Sequence, residues 1–478
     1  MQLSLEQIRD WSAAELPGRV AGSKIRGGVV RGDATAVATG YSIDSRTLER
    51  GDLFFAIRGE HFDGHEFVQA AIESGSIAAV VASSQLGRYE SDAIRNRLLL
   101  VDDPLAAMQR LASSVRRHWG KRVLGITGSA GKTTTKEAIA QVLERRFRVH
   151  KSLGNLNNHF GLPLQLLRLQ PEHEIAILEM GMSHSGEIAA LCKIAAPDWG
   201  VVTNVGMAHA ENFPDGQAGI ARAKYELIAS LPRLGTAILN CDDPYVQQFG
   251  RDFPGKAIYF GTGSCADPRA ESITAMGVEG TRFTVIAGEQ RAAVHLRLLG
   301  EHNVRNALAS IAVGVANGIP LEECAAVLEA LMPPDKRGQT LQLRGATLLN
   351  DCYNSNPQAL RAMVDTLLTI PAQRTIVIAG EMLELGPEAK RLHYECGEYM
   401  GKRGVSFVLG VRGEAASIVA GAKASGMAAI FVPTPEDAGA WLKENLRPDD
   451  AVLLKASRGV RLERALEALQ SQDSKPIE

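Results

Sequence analysis

The chain has 478 residues, 45% of them hydrophobic and 22% charged, with a formal net charge of −2. At roughly 150 residues per domain this length predicts about three domains, each with apolar residues enough for a core. A near-neutral balance leaves no basic footprint for nucleic acid, so any anionic ligand has to be held by local groups.

Residues 1–104 carry short apolar runs at 52–57 and 77–81, with turn residues at Gly59, Asp63 and Gly64. They predict a small N-terminal α/β module. Within it, Asp44-Ser45-Arg46 is either an exposed turn or a contact to a nucleotide or sugar. The opening MQLSLEQIRDW has no apolar leader segment and no run of about 18 apolar residues occurs, so a cytoplasmic protein with no membrane segment is expected.

Residues 105–333 alternate buried-type strands (123–127, 175–180, 201–205, 237–240) with helical patterns. That rhythm predicts a mostly parallel sheet covered on both faces. The stretch 272–299 alternates like antiparallel strands. Strand 123–127 runs into Gly128-Ser129-Ala130-Gly131-Lys132-Thr133-Thr134 and then a helix with Ile139 and Leu143 on one face. Strand, glycine-rich turn and helix are what a phosphate-binding loop requires. Backbone N–H groups can wrap the phosphates, Lys132 adds a point charge and Thr133 offers a hydroxyl to Mg²⁺. The spacing is G-x-x-G-K-T, because Ile126 occupies the first glycine position of the usual motif.

Glu179 ends the strand at 175–180, where it is either a solvated acid or a Mg²⁺ ligand at the ligand-binding edge of an open sheet. His209 lies four residues beyond the strand at 201–205. Lys224 falls in the middle of an apolar stripe formed by Ile220, Leu227, Ile228 and Leu231. An ammonium there snorkels, or is paired or modified for a purpose. Asn303 and Asn306, three apart at a helix start, either cap it or hydrogen-bond an adenine edge.

Pro333-Pro334 is a natural hinge, and residues 334–478 repeat the strand–helix rhythm at 348–351, 375–380, 407–410, 429–432 and 451–455. A second, Rossmann-like doubly wound domain is predicted. Asp351, Tyr353 and Asn354 form a polar turn after its first strand. Lys455, Ser457 and Arg458 follow its last, where the two cations suit an oxyanion or carboxylate. The six cysteines (Cys192, Cys241, Cys265, Cys324, Cys352, Cys396) include no C-x-x-C pair. Buried free thiols in a reducing compartment are expected.

Together these stretches resemble the Mur ligases, ATP-dependent amide-forming enzymes of peptidoglycan precursor synthesis. The resemblance runs through SIDSRTLERGDLFFAIRGEHFDGHEF, TGSAGKTTTKE, GNLNNHFGLPLQLL, ILEMGM, TNVGMAHAENF, ARAKYELI, GEHNVRNALAS, NDCYNSNPQAL, GEMLELG and LLKASRG. Within the family, 155–167 and AGEMLELG look like the branch that takes UDP-N-acetylmuramoyl-tripeptide and D-alanyl-D-alanine. The resemblance implies an acyl-phosphate route with two Mg²⁺ ions. Lys132, Thr133, Glu179 and His209 would serve the phosphates and metal, and Lys224, carrying a CO₂-derived carbamate, would join the metal site. It implies Asn303, Asn306, Asp351 and Tyr353 at the nucleoside, Asn354, Lys455, Ser457 and Arg458 at the dipeptide, and Ser45 and Arg46 at the UDP-sugar. A monomer with a mobile C-terminal domain is expected. A ligase for a different amine, or a nucleotide-gated scaffold without turnover, are the alternatives.

Overall fold

The computed structural model describes residues 1–13 and 35–470. Three parallel or mostly parallel sheets succeed one another along the chain, so the α/β class and the three-part rhythm read from the sequence hold. The first has four parallel strands, Gly40–Ser42, Asp52–Phe55, Ala78–Ala82 and Leu98–Val101. A two-stranded pair, Leu3–Ser4 with Val37–Ala38, lies beside it.

The helix Pro104–Trp119 leads out of this module. Asp103 caps it by accepting from the Leu105 and Ala106 amides, and Pro104 takes the first turn, where a missing N–H costs nothing. Its buried stripe, Met108, Leu111, Ala112 and Val115, belongs to a core shared with both the first module and one face of the next sheet.

That central sheet has six parallel strands in the order Lys256–Phe260, Thr236–Asn240, Trp199–Val202, Arg122–Thr127, Ile175–Glu179, Val149–Lys151. Both faces are covered, so its inner strands are mainly apolar runs rather than alternating. The strand order reverses between Arg122–Thr127 and Trp199–Val202, and the crevice there is where open α/β sheets take ligands. The alternating stretch forms three antiparallel strands, Arg269–Ala275, Thr281–Ala287 and Gln290–Leu296, packed with the helix Glu301–Ala316.

The C-terminal sheet orders Gln339–Leu343, Ala346–Asp351, Asp450–Lys455, Arg374–Gly380, Phe407–Val411 and Ala429–Val432. All pairings are parallel except that of the first strand. That strand, with Val149–Lys151 and Lys256–Phe260, escaped the sequence reading, because short edge strands bury too few residues to show a period. Cys192, Cys324, Cys352 and Cys396 are buried free thiols as expected. Cys241 and Cys265 are not: they form a disulfide, with Cα atoms 6.0 Å apart. The two strands that precede them are hydrogen-bonded neighbours, and their following loops converge, a contact that spacing in the sequence does not reveal.

One buried histidine sets a pH dependence. His150, in the strand Val149–Lys151, has no partner for Nε2 among the described residues. Burial, with His173 adding, pushes its pKa down to about 4. A histidine held neutral by the fold contributes stability that is fully present above its unfolded value of about 6.5. That stability is lost as pH falls from there toward 4, because the unfolded chain takes up the proton first. His150→Phe is therefore expected to flatten the fall of unfolding free energy between pH 6.5 and 4, followed by calorimetry, by at most about 1.4 kcal/mol per pH unit.

Candidate functional site

The site lies at the C-terminal strand edges of the central sheet and is closed from the other side by the C-terminal sheet. A cavity of about 1090 Å³ separates them.

The glycine turn between Arg122–Thr127 and the helix Lys132–Leu143 is braced by the segment that follows the neighbouring strand. Asn204 Oδ1 accepts from the Ala130 amide at 2.9 Å, Thr203 Oγ1 donates to the Ala130 carbonyl at 2.6 Å, and the Gly206 amide donates to Ser129 Oγ at 2.8 Å. Two positions require glycine. A Cβ on Gly128 would stand 1.9 Å from Thr203 Oγ1, and Gly131, at φ 80°, would put one 2.5 Å from Asn306 Oδ1. Lys132 Nζ donates to the Gly128 carbonyl at 2.6 Å, so the lysine lies folded over its own loop. Burial lowers its pKa, with Glu179 opposing and Arg337 adding to the effect.

Glu179 is almost fully buried at its strand end. Its partner is Lys136, whose Nζ lies 3.3 Å from Glu179 Oε1 and 3.1 Å from Glu137, and donates to the Ser152 carbonyl at 2.6 Å. The sequence reading missed Lys136. Its place four residues after Lys132 on one helix face was the available signal. Lys224, on the helix Gln217–Ala229, is 3% exposed and makes no hydrogen bond or ion pair among the described residues. Burial, and after it the Lys132 ammonium, push it well below the ordinary lysine range.

Asn306 Nδ2 donates to Asn303 Oδ1 at 2.9 Å, Asn303 Nδ2 donates to the Leu299 carbonyl, and Thr135 Oγ1 donates to Asn306 Oδ1. The pair thus ties the helix Glu301–Ala316 to the helix of the loop. His209 adopts φ 62° and its Nδ1 lies 2.5 Å from Oε2 of Glu384, in the loop that follows the C-terminal sheet's strand Arg374–Gly380.

From that sheet, Asp351 and Lys455 stand in register at adjacent strand ends, joined at 2.5 Å, and Lys455 Nζ also donates to the Asn354 carbonyl. Arg458 pairs with Glu463 at 2.5 Å. Ser457 Oγ accepts from the Leu383 amide and donates to the Ser355 carbonyl. Asp351, Asn354, Lys455 and Arg458 line the cavity with their charges matched. Arg337 stacks on Tyr353, 3.8 Å from the ring centroid. Ser45 and Arg46 do not line the cavity. Arg46 is mostly exposed, and its hydrogen bonds pull Asp44 down to about 2.

The cations of the cavity are unevenly partnered. Asp242 pairs with Arg305, Asp351 with Lys455 and Glu179 with Lys136, whereas Lys132, Lys224 and Arg337 face it without an acidic ion-pair partner among the described residues. A phosphate loop beside cations left open in this way suits a polyphosphate.

Three family descriptions match consecutive parts of the chain: "Mur ligase family, catalytic domain" at residues 37–116, "Mur ligase middle domain" at 126–314 and "Mur ligase, glutamate ligase domain" at 336–458. The chain belongs to the Mur ligase family, a class of ATP-dependent amide-forming ligases. Among its relatives is the UDP-N-acetylmuramoyl-tripeptide--D-alanyl-D-alanine ligase of Bacillus subtilis (strain 168), 37% identical over 91% of this chain and 93% of that one. The enzyme of the same name from Escherichia coli (strain K12) is 34% identical over 89% and 92%. Among solved structures, MurF from Acinetobacter baumannii superposes with a TM-score of 0.86 at 27% identity, covering 99% of each chain. MurF ligase from Thermotoga maritima in complex with ADP gives 0.79 at 30% identity, covering 91% of this chain and 98% of that one.

Gly131→Ala tests the loop. The methyl group meets Asn306 at a backbone angle that side chains rarely adopt, a strain of about 1–3 kcal/mol. ATP binding by calorimetry should weaken about tenfold or more, with the far-ultraviolet circular dichroism of the wild type retained.

Proposed function

We propose that this chain is the ATP-dependent ligase that joins D-alanyl-D-alanine to UDP-N-acetylmuramoyl-tripeptide in peptidoglycan precursor synthesis, through an acyl phosphate. The observation that carries the reading is the glycine loop with its unmatched cations, set at a strand-order reversal and faced by a second sheet. The reaction begins with attack of the tripeptide carboxylate on the γ-phosphate of ATP, which releases ADP. The dipeptide amine then attacks the acyl carbonyl and phosphate leaves. Such transfers need alignment and charge neutralisation more than covalent help.

In this reading Lys132 follows the β- and γ-phosphates once they displace the Gly128 carbonyl as its partner. The residues present suit Mg²⁺. Glu179 offers a buried Oε1 without a hydrogen bond, and Thr133 offers a hydroxyl at the helix start. No three of His, Cys, Asp and Glu converge among the described residues. That is what Mg²⁺ needs when one or two carboxylates and substrate phosphates hold it. Bound there, the ion would neutralise phosphate charge. His209 would serve a second ion.

Lys224, without a hydrogen bond or ion pair among the described residues and with its pKa pushed down by burial, is the amine that CO₂ can convert to a carbamate, releasing one proton and turning a stray base into an anionic ligand. Asn303, Asn306, Asp351 and Tyr353 would border the nucleoside. Asn354, Lys455, Ser457 and Arg458 would border the dipeptide, and Ser45 and Arg46 would meet the UDP-sugar. Segments 1–104, 105–333 and 334–478 would then act as sugar-binding, ATP-binding and mobile dipeptide-binding parts. Both halves of the cavity come from one chain, which supports a monomer. Among the described residues no helix is long and apolar enough to cross a membrane, and soluble substrates suit a cytoplasmic enzyme.

Phosphate release from ATP with UDP-N-acetylmuramoyl-tripeptide and Mg²⁺ should depend on D-alanyl-D-alanine. A free amino acid outperforming the dipeptide would transfer the reading to a ligase for another amine. Lys224→Ala should abolish turnover, with short carboxylic acids restoring part of it. A ¹³C-bicarbonate carbamate resonance present in the wild type should vanish in the variant, and its absence from the wild type would leave Lys224 a free amine.

A further inference from the structure

The segment carrying His209 does not stand free in the central sheet's loop region. It is pressed into the C-terminal half: Met207 packs against that half's core, a Cβ on Gly206 would stand 2.7 Å from Gln358 Oε1, and one on Gly386 would stand 2.8 Å from the Cα of Glu211. The Glu211 amide donates to the Glu384 carbonyl at 3.4 Å.

At the centre of this contact two non-glycine residues both adopt left-handed backbone angles, His209 at φ 62° and Glu384 at φ 65°. Each such residue is strained, and persists because the surroundings over-determine it. Their side chains meet, with His209 Nδ1 2.5 Å from Glu384 Oε2. The contact is close but not aligned as a hydrogen bond, since the buried Nδ1 has no hydrogen-bond partner among the described residues. His209 lines the cavity, as does Glu384. With Nδ1 turned to the carboxylate, Nε2 is the ring nitrogen left for a ligand. Carboxylate–imidazole pairs, once aligned, fix both tautomer and ring angle.

We propose that Glu384 is a positioning residue. Its carboxylate, delivered by the C-terminal half, sets the ring of His209 for work in the cavity, so that the phosphate end of the site is complete only when the two halves are docked. This rests on the reading of His209 given above. It goes beyond that reading in placing the control of a central-sheet side chain on the opposite sheet, which lets domain docking gate phosphoryl transfer instead of merely excluding water.

The test is a cycle of Glu384→Ala, His209→Ala and the double variant, with Glu384→Gln as the conservative replacement. Glu384→Ala should lower kcat about 10–100-fold, as loss of a ligand-orienting partner does, with KM for ATP within about twofold of wild type. Glu384→Gln, which keeps an oxygen facing Nδ1–H, should recover most of the loss. In the His209→Ala background, Glu384→Ala should cost less than about twofold. Independently of turnover, ¹⁵N-histidine spectra should show the Nδ1–H tautomer of His209 in the wild type and a shift toward Nε2–H in Glu384→Ala. The radius of gyration from solution scattering should not change. An undiminished Glu384→Ala penalty in an impaired His209→Ala enzyme, an unchanged tautomer, or an expanded Glu384→Ala protein would overturn the proposal and make Glu384 plain interface. Full activity of His209→Ala would instead remove the reading of His209, and this proposal with it.

Discussion

The rest of the site follows from cations that lack ion-pair partners in an enclosed space. Buried ammonium and guanidinium groups are tolerable only when paired or hydrogen-bonded. Around this cavity Glu179 is committed to Lys136 and Asp351 to Lys455, while Lys132 makes do with a carbonyl and Lys224 has no hydrogen bond or ion pair among the described residues. Anionic ligands supply the missing counter-charge. Because those partners arrive from solution, the fold has to keep the cavity open at two sheet edges and hold its cations in place until they do. The near-zero net charge of the whole chain is then no paradox. The attraction is local, and it is strongest where water is scarce.

Much of this was legible in the sequence, and the reason differs from part to part. The central strands announced themselves because burial on both faces makes them apolar runs, and the glycine loop because only a strand-to-helix context gives those residues a use. Lys224 was visible as a charge on an apolar stripe. What the sequence hid was pairing across long separations. Nothing local says that Lys455 answers Asp351, that Lys136 rather than a free solvent shell answers Glu179, or that Cys241 reaches Cys265. Each is a contact between strand ends or loops that only the sheet order brings together. Edge strands were hidden for a related reason, since a strand with one neighbour has little burial to print on its composition.

The bracing of the glycine loop shows how the local and the distant combine. Asn204, Thr203 and Gly206 follow one strand, the loop follows the next, and most of the hydrogen bonds between them join a backbone group to a side chain. Side-chain chemistry and space therefore act together there, and two glycines are confined by Thr203 and Asn306. The asparagine pair carries the same restraint to the helix Glu301–Ala316, whose other face packs into the core beneath the antiparallel strands. The loop's shape is thus set by the packing of three elements rather than by its own residues.

The cavity is divided between two sheets, each with its own core on both faces. Neither half holds a finished site, yet each can keep its shape while the other changes. Substitutions in the C-terminal half away from the Glu384 contact can change what that half presents to the cavity while the glycine loop keeps its bracing. Division of labour across a seam is a way for one chemistry to acquire many vocabularies.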